Sequence, residues 1–220
     1  MIPVVIVCWN NHKYVQNTVR QLQKFTNNII IMDNASTDEP TRDYLATCGL
    51  DVRYNKTNNG PWIRPDRNQE LYDELPDEFI LTDPDLEFNE NLPIDFISRL
   101  SEISNKYRVN KTGLALKIDD FADMHQCVYL LGRNIYEWES QFWVNRIPDD
   151  QYELYVAEVD TTFVLVNKKY QGTHHIRVAG DFTAKHIPWY VNNPFYTTEE
   201  VKTRSGAIST IGMALRGEAV

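Results

Sequence analysis

Residues 79–88 read FILTDPDLEF, an apolar run that breaks off at Asp83-Pro84-Asp85. Two carboxylates one residue apart repel each other, and a divalent cation removes that repulsion. Carboxylate oxygens are hard ligands that suit magnesium, manganese or calcium, and a diphosphate can fill the coordination positions they leave open. Pro84 fixes one backbone angle and stiffens the spacing. An isolated Asp-x-Asp is usually a solvated turn. This one follows directly on the pattern of a buried strand, and that context gives it meaning.

The elements that must position it alternate in type. Residues 3–8 (PVVIVC) form a short β-branched run of the kind buried on both faces of a sheet. Val15, Val19 and Leu22 then recur at helical spacing. Residues 28–32 (NIIIM) predict a second strand. Ser36 and Glu39 have capping-box spacing, Pro40 suits a first helical turn, and Gly49 suits a stop. Val52 and Tyr54 predict a short third strand. A helix is expected over 66–75, a strand over 79–82, and an amphipathic helix over 92–105 with Phe96, Leu100 and Ile103 on one face. This alternation predicts an α/β domain, a mostly parallel central sheet with helices on both faces. In such sheets ligands collect at the carboxyl ends of strands. Three polar clusters fall there: Trp9-Asn10-Asn11, Asp33-Asn34-Ala35-Ser36, and Asp83-Pro84-Asp85.

The chain has 220 residues and a net charge of -9, which argues against a nucleic-acid partner, since such proteins carry a basic patch or stripe. No apolar run approaches the roughly 18 residues of a membrane span. The opening MIPVVIVCWNN lacks the basic start of a signal peptide. Three widely spaced cysteines form neither a disulfide framework nor a zinc cluster and point to a reducing compartment. A soluble cytoplasmic protein is the simplest expectation.

The second half changes character. Strands are expected over 113–118 and 161–166, separated by a stretch rich in aromatic residues. One domain over 1–203 is predicted, in a first half (1–105) and a smaller second lobe (106–203), with 204–220 as a tail.

The motifs PVVIVCWNN, IIIMDNASTDE, NNGPWIRPDRN and LTDPDLEF occur in an order that resembles the GT-A (Rossmann-like) glycosyltransferases, most closely the inverting family-2-like enzymes. VDTTFVLVNK and IRVAGDFTAKHIPWY extend the resemblance over most of the chain. Within that group it is similar to the small domain that builds capsid glycans in large algal viruses, which would place it in a host cytoplasm. The resemblance implies a nucleotide-sugar donor, typically a UDP-sugar, a Mn2+ or Mg2+ cofactor, and a glycan or glycoprotein acceptor. It also implies that Val7, Trp9, Asp33 and Asn34 hold the nucleobase, with Asp33 first for the base imide because Asn34 stands where many relatives have a second acid. Arg64, Arg67 and Asn68 would lie over the nucleotide. Asp83 would meet ribose or metal, Asp85 the metal, and His186 would complete the metal site.

Glycosyl transfer also needs a carboxylate to take the acceptor proton. Asp160, Glu158 and Asp181 are the candidates, with Asp160 first because it opens the strand pattern TTFVLV near an expected sheet edge. Trp138, Trp143, Trp189 and Tyr190 are candidates for an acceptor cleft, since sugars present apolar C–H faces to rings. Two other classes compete. A sugar nucleotidyltransferase would carry a Gly-rich basic loop after the first strand, and WNNHKYV is a poor one. An inactive carbohydrate- or nucleotide-sugar-binding module would not need an intact Asp83-Pro84-Asp85. A dinucleotide-binding oxidoreductase fares worse, because no G-x-G-x-x-G follows the first strand.

Overall fold

The computed structural model describes residues 1–172, 174–204 and 210–218. The strands are β1 (Val4–Cys8), β2 (Ile29–Asp33), β3 (Asp51–Tyr54), β4 (Glu78–Thr82), β5 (Leu86–Phe88), β6 (Lys111–Leu114), β7 (Arg146–Ile147), β8 (Leu154–Val156), β9 (Val164–Asn167), β10 (Ile176–Val178) and β11 (Ala184–His186). The helices are α1 (His12–Leu22), α2 (Glu39–Thr47), α3 (Gln69–Glu74), α4 (Phe96–Tyr107), α5 (Ile135–Ser140), α6 (Thr198–Arg204) and α7 (Thr210–Leu215).

Nine strands form one sheet in the order β3-β2-β1-β4-β9-β6-β10-β8-β7, and β11 pairs with β5 in a separate two-stranded ribbon. Within the large sheet β9 runs antiparallel to both β4 and β6, and β8 antiparallel to β10 and β7; the other seven strands share one direction. The sheet is therefore mostly parallel, as expected.

Strand β1 shows why its sequence is continuously apolar. Val4, Ile6 and Cys8 face the core beneath α1 and α4, while Val5 and Val7 join Leu71 and Leu75 on the α3 side. Both faces are covered, so alternation disappears. Val15, Val19 and Leu22 of α1 and Phe96, Leu100 and Ile103 of α4 are all buried, as their spacing required. Phe88, Phe96 and Phe163 pack ring to ring, with centroids 5.3–6.3 Å apart.

Three local expectations are corrected. Asp38, not Ser36, caps α2, accepting from Thr41 N at 3.2 Å and Thr41 Oγ1 at 2.9 Å. Ser36 is occupied instead by Asp33 and Asn10. Strand β9 lies inside the sheet, so Asp160 is not at an edge. Helix α7 stands where the sequence reading placed a tail, with Ile211 and Ala214 buried in the main core; residues 205–209 and 219–220 of that stretch lie outside the described residues.

Gly113 of β6 pairs with Val164 at the start of β9. A Cβ there would lie 2.5 Å from Val159 Cγ1 and 2.6 Å from the Phe163 carbonyl oxygen. Backbone cannot yield as a flexible side chain can, so Gly113→Ala should destabilise the fold by about 2 kcal/mol. Thermal unfolding should show this as a Tm lower by roughly 4–8 °C.

Candidate active site

The carboxyl ends of β1, β2 and β4 form one rim, and the backbone there is held in uncommon conformations. Asn10 (φ 55) after β1 and Ala35 (φ 60) after β2 occupy the left-handed region, as does Asn68 (φ 55) at the start of α3. Such strain persists only where the surroundings fix it and collects at functional loops.

Side chains of α1 fix the segment after β4. Thr18 Oγ1 donates to the Pro84 carbonyl at 2.5 Å, and Gln21 Nε2 donates to the Leu86 carbonyl at 2.9 Å. Gln21 Oε1 accepts from Phe88 N at 2.8 Å. Thr18 is fully buried within the apolar stripe of α1. A polar group there needs a partner, a signal present in the sequence and missed.

The reversal of β9 brings its start beside the end of β4. Asp83 N donates to the Thr161 carbonyl at 2.8 Å, and Thr161 Oγ1 donates to Asp83 Oδ2 at 2.9 Å. Asp160, immediately before, accepts from Trp62 Nε1 through Oδ1 at 2.8 Å. The β5–β11 ribbon supplies the third part. His186 pairs with Leu86, and Ile187 N donates to the Asp85 carbonyl at 2.9 Å. His186 Nε2 thereby comes within 3.5 Å of Asp85 Oδ1.

These groups line a cavity of about 630 Å³ together with Val7, Trp9, Asn34, Trp62, Arg67 and Tyr14. Of the residues singled out in the sequence, Val7, Trp9, Asn34, Arg67, Asp83, Asp85, Asp160, His186 and Trp189 all reach it. Four others do something else. Asp33 turns inward, and its carboxylate accepts from Ser36 N at 3.2 Å and Ser36 Oγ at 2.5 Å. Arg64 is exposed and paired with Asp66 at 2.8 Å, its guanidinium 5.6 Å from the Trp62 ring. Glu158 is exposed; its carbonyl accepts from Arg177 Nε at 2.7 Å. Asp181 is exposed in the turn Gly180–Phe182.

Asn68 organises the loop rather than lining the cavity. Its Oδ1 accepts from Asn55 Nδ2 at 2.9 Å and Asn59 Nδ2 at 3.3 Å, and its Nδ2 donates to the Trp62 carbonyl at 2.8 Å. Asn34 belongs to the same network, donating to the Gly60 carbonyl at 2.9 Å and accepting from Asn55 at 2.8 Å. The loop that carries Trp62 and Arg67 is thus pinned to the end of β2 by asparagines.

Among the described residues no three His, Cys, Asp or Glu side chains form a preassembled metal cluster. The donors nevertheless suit a divalent cation. Asp85 Oδ1 and His186 Nδ1 are buried without a hydrogen-bond partner, as is Thr162 Oγ1 in the same wall. Burial pushes the His186 imidazole below its ordinary pKa against the pull of Asp85, which keeps it neutral and able to ligate. Asp83 moves the other way. Burial first, and the Asp85 carboxylate second, push its carboxyl up to about 8, with the Thr161 hydrogen bond opposing. Two carboxylates that cannot both ionise cheaply leave a need that a cation meets.

No family model matches the chain, and no curated protein matches its sequence. Among solved structures it is similar to the mannosyltransferase PcManGT from Pyrobaculum calidifontis, determined in complex with GDP-Man and Mn2+. That likeness has a TM-score of 0.51 at 10% identity and covers 100% of this chain and 65% of that one. It is also similar to S. aureus TarS 1–349, with a TM-score of 0.41 at 17% identity, over 76% of this chain and 47% of that one. The chain therefore spans less than two thirds of the length of either. The first likeness shows the fold alone: a mixed α/β domain with a mostly parallel central sheet, consistent with the GT-A (Rossmann-like) fold.

The raised Asp83 carboxyl makes a pH prediction. Its folded pKa lies above the unfolded value of about 3.9, so folding takes up a proton in between. Stability of the metal-free protein therefore falls as pH rises from about 4 toward 8. Asp83→Asn keeps an acceptor for Thr161 and removes the charge. Its Tm should match wild type near pH 4 and exceed it increasingly toward pH 8, read by thermal unfolding across that range in chelator.

Proposed function

We propose that this chain transfers a sugar from a nucleotide-sugar donor to a hydroxyl of a glycan acceptor, with inversion at the anomeric carbon. The observation that carries the reading is the Asp85–His186 pair, 3.5 Å apart with unpartnered buried atoms, in one cavity with Asp83 and Asp160. Asp85 and His186, with Asp83, would hold Mn2+ or Mg2+, whose chemistry is to offset charge on the diphosphate as it leaves.

The protein's own residues do the rest. Val7, Trp9 and Asn34 wall the end of the cavity that suits a nucleobase, and Arg67 supplies positive charge from the loop above it. Asp160 takes the proton of the attacking hydroxyl as its oxygen bonds to the anomeric carbon. The bond from that carbon to the phosphate oxygen breaks in the same displacement, and the nucleoside diphosphate leaves with the electron pair. Trp62 Nε1–H, 2.8 Å from Asp160 Oδ1, orients the carboxylate. A UDP-sugar is the donor implied by the sequence resemblance, whereas PcManGT was determined with GDP-Man, so the base is for experiment to choose.

Thermal unfolding against UDP-, GDP-, dTDP- and CMP-sugars tests this. One nucleotide class should raise the Tm with manganese and lose the effect in chelator, because a ligand bound only by the native state stabilises it by mass action. Asp85→Ala should fold normally yet lose both that shift and all turnover. Stabilisation without any turnover would assign a binding module instead.

Asp160→Asn should keep the donor-induced shift and lower kcat at least about a hundredfold, the usual share of a general base. Unchanged kcat would remove Asp160 from this role.

A further inference from the structure

A second cavity, of about 920 Å³, opens where the β5–β11 ribbon meets the main sheet. Lys117 N donates to the Ala184 carbonyl at 2.8 Å and Ala184 N to the Ala115 carbonyl at 3.0 Å, so the chain after β6 is stitched directly to the ribbon. Glu87 and Lys185 stand opposite each other on the two ribbon strands and both line this cavity. Asp85, two residues before Glu87, and His186, one residue after Lys185, form the candidate metal pair at the same end of the ribbon. At roughly 3.3 Å per residue, the cavity begins within about 7 Å of that pair.

Its other wall carries two aromatic residues, Tyr136 of α5 and Trp143 of the following turn. The Tyr136 ring is 44% exposed, and its inner side leans on Phe121 at 5.4 Å. Trp143 packs on Tyr155 at 5.4 Å, and its Nε1–H is buried without a hydrogen-bond partner.

This wall is held rigidly. Glu139 of α5 forms a buried ion pair with Arg177 of β10, whose side chains are only 3% and 6% exposed. The Arg177 guanidinium also lies over the Phe142 ring at 4.1 Å. Removing one member would leave the other charge buried and alone, so the pair fixes α5 and the next turn to the sheet.

Charge narrows the ligand. Glu87, Glu90, Asp119, Lys117 and Lys185 all line the cavity, and Lys117 is already paired with Asp119. The balance offers acceptors and donors side by side without a field for an anion. An exposed Tyr136 ring beside a half-buried Trp143, paired donors and acceptors, and a volume at the upper end of ligand sites suit a neutral molecule with many hydroxyls and apolar C–H faces. We infer that this cavity binds a neutral saccharide of more than one ring, and that it delivers the acceptor of the proposed transfer across the ribbon. The inference rests on the glycosyl-transfer reading for that last step, but the binding itself does not.

The test uses the purified chain on an array of neutral and acidic oligosaccharides, with neither donor nor metal present. The tightest neutral binder is then titrated by calorimetry. Wild type should retain neutral oligosaccharides. Tyr136→Ala and Glu87→Ala, both at exposed positions, should each weaken binding about tenfold, and Asp85→Ala should bind as wild type. No neutral oligosaccharide bound, preference for acidic ones, or equal binding by the two cavity variants would overturn the inference. Donor-induced Tm shifts on the same preparations separate the readings. Shifts kept with no saccharide bound sink this cavity alone, while saccharide bound with no donor shift sinks the transferase reading alone.

Discussion

The site depends on one reversal of chain direction. Strand β9 is inserted antiparallel between β4 and β6, so the residues that precede it lie at the carboxyl end of β4. The paired hydrogen bonds between Asp83 and Thr161 are the local expression of that reversal. Had β9 been parallel, its start would lie at the opposite edge of the sheet, and Asp160 could not share a cavity with Asp83 and Asp85. Gly113 is a steric condition for it, since the segment leading into β9, at Val159 and the Phe163 carbonyl, leaves no room there for a Cβ.

Around that junction, three supports hold the acidic segment from separate directions. The polar residues of α1 grip the backbone from Pro84 to Phe88. The β5–β11 ribbon brings His186 to Asp85. The asparagine network carries the Trp62 loop to Asp160. Each support spends hydrogen bonds on backbone or loop and leaves the buried Asp85 Oδ1 and His186 Nδ1 unpartnered. Preorganisation of this kind lets charge be stabilised without rearrangement when a ligand arrives. It also accounts for the cost stored in the raised Asp83 carboxyl.

The same ribbon links the two cavities. One end of it carries the candidate metal pair, and the next residues, Glu87 and Lys185, floor the larger cavity. In the proposed transfer the ribbon would hold donor and acceptor in a fixed relation, and proximity and orientation supply much of such a rate. The buried Glu139–Arg177 pair gives the far wall a comparable rigidity.

The sequence by itself determined the strand–helix order of the first half, the burial of β1 on both faces, and the position of the acidic pair at a strand end. These follow from local periodicity and from the change at Asp83, which neighbouring residues alone set. Nine of the singled-out residues reach the cavity for the same reason: each sits at or near an element end. What only the tertiary structure decided is partnership. Asp33 and Asn34 are adjacent, yet the turn to α2 consumes one carboxylate and leaves the other side chain at the cavity. Glu158 and Asp160 are two residues apart, yet only Asp160 meets Trp62, 98 residues away in the chain. Helix α7 reads as a polar tail until Ile211 and Ala214 find the core. Contacts between residues far apart in sequence depend on strand direction and order, and no local pattern encodes these.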